Sequence, residues 1–378
     1  MINDLDFFLS HRLSVAQAAQ KLGCEIHVAA PCGESATRVV GYGFSVHQIT
    51  LDRAGIAIHR EIKTAISIFR LYRRLRPRLV EHITIKPVIY GSLVGRIFFP
   101  RCPLVLWVTG LGSLFLARDI WRKALRASVE VAYRFAFNRQ DIRVIFENSD
   151  DREYFVSRRL LWPSIAVVIR GAGVDLSLFG ESCELDGSPI VVLASRMIWD
   201  KGIREFVDAA ADLKAKGVKA RFVLVGESDS GNPTAVPRSM LESWSKSGVV
   251  EWWGFRSDMP AVFRSCHIAC LPSYREGAPK VLLEAAASAR PIIATDVPGC
   301  REIVRHGENG LLVPPRDPNM LAEALRYLID HPEERRRMGV RGREIAVAEF
   351  SAERVVDETI KVYESVFGRS LQSVFGHT

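Results

Sequence analysis

Paired cysteines are absent from this sequence of 378 residues. The seven it has stand apart at positions 24, 32, 102, 183, 266, 270 and 300, with no CxxC pair. That excludes a disulfide framework and a zinc ribbon, and it fits a reducing compartment. Long apolar runs are absent too. The longest candidate, 102–117, is interrupted by Pro103, Gly110 and Gly112, so it reads as a buried strand and loop rather than a bilayer span. The opening MINDLDFFLSHRL has no cationic stretch ahead of its apolar residues; it does not read as a secretory signal, and the cytoplasm is the expected location. What is present, 48% hydrophobic and 25% charged residues, is the composition of globular chains, and the length predicts two domains.

Positive charge belongs to the first half. Residues 1–175 carry 25 Lys and Arg against 15 Asp and Glu, a surplus of ten, while the remainder carries 26 against 28. Such a surface suits anionic lipid, nucleic acid or an acidic ligand. Its densest part is the helix 59–78, which mixes Ile62, Ile66, Phe69 and Tyr72 with Arg70, Arg73, Arg74, Arg76 and Arg78; the helix 119–139 does likewise. One face of each must pack on its own sheet. The excess of Arg beside aromatics predicts peripheral docking on an anionic membrane, at the inner face of the plasma membrane.

Short β-branched runs alternate with helical patterns along the whole chain. In the second half they are IVVLASR, RFVLVGE, VVEWWGF, HIACLPS, PIIATDV and NGLLVPP; in the first, EIHVAAP, FSVHQIT, LVEHITI, PLVLWVTG, VIFENS and AVVIRGAG. Apolar strands separated by amphipathic helices predict an α/β fold of two doubly wound parallel sheets. The domains are expected at 1–172 and 173–350, followed by a helix over 351–368 and a patternless tail, 369–378. The first domain's first strand is reduced to MIN. The topology predicts about 5 to 15 further in-frame residues upstream of Met1, enough for a strand.

The most informative stretch is LPSYREGAPKVLLEAAASARPIIATDVPG, from residue 271. A strand ends at Ser273, a loop carries Glu276, Gly277 and Ala278, Pro279 is expected in the first turn of a helix, and Glu284 lies further inside it. A helix N-terminus is a ready site for a phosphate, and here a carboxylate stands on each side of it. Singly, Glu276 reads as a loop acid and Glu284 as an exposed helix residue; the strand, EG loop, helix start and VPG turn together favour a ligand site. Arg196 and Lys201, in ASRMIWDKGIREF, follow another strand end and can neutralise a diphosphate together.

This stretch resembles the E-x7-E signature of the retaining glycosyltransferases of family 4. The NGLLVPPRDPNMLAEAL segment at 309–325 resembles the continuation of that pattern. The resemblance implies a GT-B fold, two facing Rossmann-like domains with the active site in the cleft between them. It implies sugar transfer from a nucleotide diphosphate donor, a UDP-sugar, with retention, to a hydroxyl of a lipid-linked or growing bacterial glycan. Arg196, Lys201 and Glu276 would then be catalytic, the cations stabilising the leaving diphosphate and Glu276 holding hexose hydroxyls. Glu284 would hold the ribose, with Gly277, Ala278, Pro279, Gly110, Gly254 and Phe255 completing the donor site. No metal or other cofactor is implied. A GT-B hexosamine epimerase, which needs no acceptor, and a basic nucleic-acid-binding protein are the rival readings.

Other features are weaker. Gly110 to Gly112 is the best of several glycine loops, and Trp252 or Trp253 reads as core beside the loop of Gly254 and Phe255. The family's T-x-H-[GD] element is WVTGLGS here, without its histidine. His11, in an FLSHR text resembling a subset of bacterial members, and His82 with Lys86 are read as equally suited to the cleft or to ordinary packing. Cys266, His267 and Cys270 sit on an apparent buried strand, which argues against a metal.

Overall fold

The computed structural model describes residues 1–376, apart from 32, 52–57, 112–119, 140 and 230. The chain forms two compact units, one of Met1–Ala172 with Glu353–Thr378, the other of Gly173–Ala352.

In the first unit the strands are β1 (His27–Ala30), β2 (Ser45–Gln48), β3 (Val80–Ile83), β4 (Leu104–Val108), β5 (Ile142–Phe146) and β6 (Ala166–Val168). The helices are α1 (Leu5–His11), α2 (Leu13–Lys21), α3 (Ala36–Gly41), α4 (Ile58–Leu75), α5 (Ile85–Phe98), α6 (Ile120–Phe137) and α7 (Ser149–Ser157). β1 pairs with β2, and β3-β4-β5-β6 form a parallel set. Met1 and Ile2 bridge the two sets: the Ile2 amide donates to the Ala29 carbonyl at 2.9 Å, and the Ile83 amide donates to the Met1 carbonyl at 3.0 Å. With that stub counted as strand 1, the order is 3-2-1-4-5-6-7, the doubly wound order with one further strand at its edge. All five residues of β4 are buried, because a central parallel strand is covered on both faces. Its side chains contribute on the order of 10 kcal/mol of apolar burial, before the entropy cost of ordering them.

The second unit repeats the pattern with β7 (Ile190–Ala194), β8 (Arg221–Val225), β9 (Glu251–Trp252), β10 (Ile268–Leu271), β11 (Ile292–Thr295) and β12 (Gly310–Val313), in the order β12-β11-β10-β7-β8-β9. Its helices are α8 (Ile203–Ala215), α9 (Arg238–Lys246), α10 (Met259–Ser265), α11 (Lys280–Ala287), α12 (Cys300–Ile303), α13 (Pro318–Asp330) and α14 (Pro332–Glu349).

After the second unit, α15 (Ala352–Phe367) returns to the first. Val355, Val362 and Tyr363 pack with Trp107, Ile145 and Val15. The tail is not patternless: α16 (Leu371–Phe375) is capped by Ser370 and buries Leu371 and Val374. Five residues are too short to show a helical period, but a spacing of three puts those two on one face.

Four polar residues of the first unit have partners within it. His82 in β3 is fully buried, with Nε2 2.7 Å from the Tyr72 hydroxyl, and His11 stacks on Phe7 at 4.0 Å. Beside it Arg12, which sequence reading passed over, is 1% exposed, bonds Glu147 at 3.1 Å and lies 3.4 Å over the Trp107 ring. Lys86 is paired with Glu61 at 2.6 Å.

Burial holds the His82 pKa well below the usual histidine value. A group depressed on folding stabilises the fold fully above its unfolded pKa, about 6.5 for histidine, and that contribution is lost as pH falls toward the folded value. Melting temperature should therefore decline as pH is lowered from about 6.5. His82→Asn should melt lower at neutral pH yet lose less on acidification. Parallel melting curves for the two proteins between pH 7.5 and 5 would remove His82 as the cause.

Candidate functional site

In the second sheet the chain runs from β7 to β8 and β9 on one side, and from β10 to β11 and β12 on the other. The carboxyl ends of the neighbours β7 and β10 therefore form the switch point where such sheets bind ligands. The loops that follow these strands are packed backbone to backbone. Asp200 uses its carbonyl to accept from the Tyr274 amide at 2.9 Å and the Ser273 hydroxyl at 3.1 Å. Gly202, at φ +72°, caps α8, and a Cβ on it would lie 2.0 Å from the Pro272 carbonyl oxygen. No other residue type fits that turn without displacement.

This packing brings Lys201 Nζ to 2.5 Å from Glu276 Oε1, with both side chains largely buried. The turn after β11 presses on the same loop: Gly299, at φ +82°, lies where a Cβ would be 2.2 Å from the Gly277 carbonyl oxygen. α11 then starts at Lys280. Pro279 is its N-cap and not a first-turn residue as expected, and no side chain caps the helix. A proline there has no N–H, so Pro279 supplies no backbone donor at the helix start. Glu284, one turn into α11, is 9% exposed, and Lys280 Nζ lies 3.5 Å from its Oε1. Burial raises its carboxyl pKa, and the Lys280 charge opposes the rise.

Arg196 does not join the Lys201–Glu276 pair. Its Nη1 bonds Asp229 Oδ2 at 3.0 Å in the loop after β8, with the arginine side chain 55% exposed. The two cations read as converging are held by different carboxylates. Gly254, at φ +66°, accepts at its carbonyl from the Gly226 amide at 2.7 Å, which ties the loops after β8 and β9 together. Phe255 stands 72% exposed beside it. Trp252 and Trp253 are half-buried and packed against the core of the second unit, and the Trp252 indole N–H donates to the Gly226 carbonyl at 2.8 Å.

Sequence reading missed a supporting cluster. The Tyr274 hydroxyl donates to Glu205 Oε1 at 2.7 Å, Glu205 being buried in the first turn of α8. The Arg316 guanidinium lies 4.5 Å over the Tyr274 ring. Burial, then the Glu205 carboxylate, raises the Tyr274 pKa, so the phenol stays a donor. The signal was available: a tyrosine between the strand end and the EG loop, and a glutamate four residues after Lys201.

Gly110, at φ +121°, belongs to the first unit, after β4; Gly112 lies outside the described residues. His267 accepts from the Ile190 amide at 3.1 Å and lies 2.8 Å from the Leu185 carbonyl. Burial pushes the Cys266 thiol up to about 12. Among the described residues no group of three metal-ligating side chains occurs.

Two family models match the chain. Residues 188–331 match glycosyl transferases group 1 and residues 4–148 match glycosyl transferase 4-like. Among curated proteins, the N,N'-diacetylbacillosaminyl-diphospho-undecaprenol alpha-1,3-N-acetylgalactosaminyltransferase of Campylobacter jejuni is 26% identical, over 95% of this chain and 98% of that one. Among solved structures, the sucrose-phosphate synthase of Thermosynechococcus elongatus superposes with a TM-score of 0.80 at 20% identity, over 97% of this chain and 95% of that one. Anabaena HepE, in complex with UDP and glucose, superposes at 0.74 with 20% identity, over 93% and 95%. The described helices include none long and apolar enough to cross a membrane.

Proposed function

We propose that this chain, which belongs to the group 1 glycosyltransferases of the GT-B fold, transfers a sugar from a UDP donor, with retention, to a hydroxyl of a lipid-linked bacterial glycan. One observation carries the reading: the α11 N-terminus lies between a Lys201–Glu276 pair and a buried Glu284. A diphosphate at that N-terminus meets the helix dipole and the Gly277 and Ala278 amides. Arg196 and Lys201 neutralise the charge that grows on it as the sugar leaves. Glu276 holds hexose hydroxyls, Glu284 the ribose, and the loop of Gly254 and Phe255 the base. The bond from the anomeric carbon to the phosphate oxygen breaks, a bond to the acceptor oxygen forms on the same face, and the departing phosphate oxygen takes the acceptor proton. Two cations suffice for the leaving charge, so the scheme needs no metal.

The UDP donor is supported by the HepE complexes, and the lipid-linked acceptor by the name of the Campylobacter relative. Six of the cysteines are described, and all six are free thiols, which suits work on the cytoplasmic side of the membrane.

Calorimetry with UDP and with the UDP-sugar tests the division of roles. Glu284→Ala should weaken both ligands. Glu276→Ala should weaken the UDP-sugar and spare UDP, because it also releases Lys201 to the diphosphate. Equal losses for both ligands in both variants would contradict the assignment.

A further inference from the structure

We propose that the outer face shared by α4, the end of α5 and α6 docks flat on a bilayer rich in anionic headgroups. This goes beyond the assignment of the donor site and stands on the first unit alone.

α4 carries two apolar stripes. Ile68, Leu71 and Tyr72 are buried in its own unit, so the demand of its core is met. A second line starts with Ile62 and Ile66, which point elsewhere, 54% and 44% exposed, and it continues through Phe69, half-buried against the core, to the exposed Arg73. The stripe continues onto the neighbouring helices. Phe69 meets Phe98 edge-to-face at 4.8 Å, Ile97 and Phe98 at the end of α5 are both exposed, and the Arg96 guanidinium lies 4.2 Å over the ring of Phe135 on α6. Phe135 and, one turn earlier, Val131 are exposed as well. Sequence reading did not mark Ile97 and Phe98, because α5 is apolar along most of its length.

The charge on this face has one sign. Arg70, Arg73 and Arg74 border a depression floored by Ile66 and Phe69. α4 has five cations and a single acid, Glu61, which is bonded to Lys86. Interspersed apolar side chains and arginines are what an interfacial helix presents to headgroups and the acyl boundary. The chemistry disfavours the other occupants. A second copy docked by twofold symmetry would set these arginines against their own mates. A nucleic acid would leave Ile62, Ile66 and Ile97 unused, since isoleucine offers no ring for a base to stack on.

Co-sedimentation of the full chain with vesicles tests this. The chain should bind phosphatidylcholine vesicles containing 30% phosphatidylglycerol, a fraction on the order of that in anionic leaflets, and bind pure phosphatidylcholine far less. Each cation at such a surface contributes roughly a fivefold tightening, so Arg70→Ser with Arg73→Ser should weaken binding roughly 25-fold. Ile66→Ser with Ile97→Ser should weaken the part of binding that survives high salt. Both double variants should keep the melting temperature and the UDP affinity of the parent, because all four side chains are solvent-facing and lie in the other unit; failure of the donor-site reading would show in UDP affinity and leave vesicle binding unchanged. Equal binding to neutral and anionic vesicles, or full binding by both variants, would overturn the proposal. So would a parent that ignores vesicles but forms dimers or binds RNA in a way the variants lose.

Discussion

Alanine at Arg196 or Lys201 should lower turnover by roughly a hundredfold or more, the usual loss when a group aimed at developing transition-state charge is removed. The two variants should differ in stability. Arg196 holds an exposed pair with Asp229, and such pairs contribute about 0–1 kcal/mol, so Arg196→Ala should melt close to the parent. Its weak tether also leaves it available to a diphosphate. Lys201 is mostly buried against Glu276; removing it strands a carboxylate and should lower the melting temperature measurably. Normal turnover in both variants, with purified donor and acceptor, would remove the diphosphate clamp from the mechanism.

Gly299→Ala should be among the most damaging single changes in the second unit. Its φ of +82° costs an alanine roughly 1–2 kcal/mol, and the added Cβ would lie 2.2 Å from the Gly277 oxygen. Together these should destabilise by on the order of 3 kcal/mol. The strain falls on the loop that carries Glu276, so turnover should fall at least tenfold even where the variant is folded. Gly307 is the control. It has φ +80°, and a Cβ added there would meet nothing within 4 Å, so Gly307→Ala should cost about the backbone part alone and leave turnover unchanged. Equal losses at the two glycines would mean that the contact with Gly277 is unimportant.

The twelve strands among the described residues were legible because parallel central strands are apolar on both faces and stand out against amphipathic helices. That Arg196, Lys201 and Glu276 follow strand ends was legible too, and the pairing order that makes β7 and β10 neighbours was not. Side-chain partners were not legible. Lys201 finds Glu276 across 75 positions and Arg196 finds Asp229 across 33, and only the folded backbone decides which carboxylate each cation meets. Arg12 was missed for a related reason. A charged residue reads as exposed until its partner is known, and Glu147 is 135 positions away. Pro279 fell one place outside the helix it was read into, within the ordinary scatter of helix ends.

Release of UDP from a UDP-sugar, measured with and without a polyprenyl-diphosphate-linked sugar, tests the function most directly. The proposed function predicts acceptor-dependent UDP formation and a product whose new bond keeps the donor's anomeric configuration. Conversion of the donor sugar without any acceptor, or a product of inverted configuration, would contradict it.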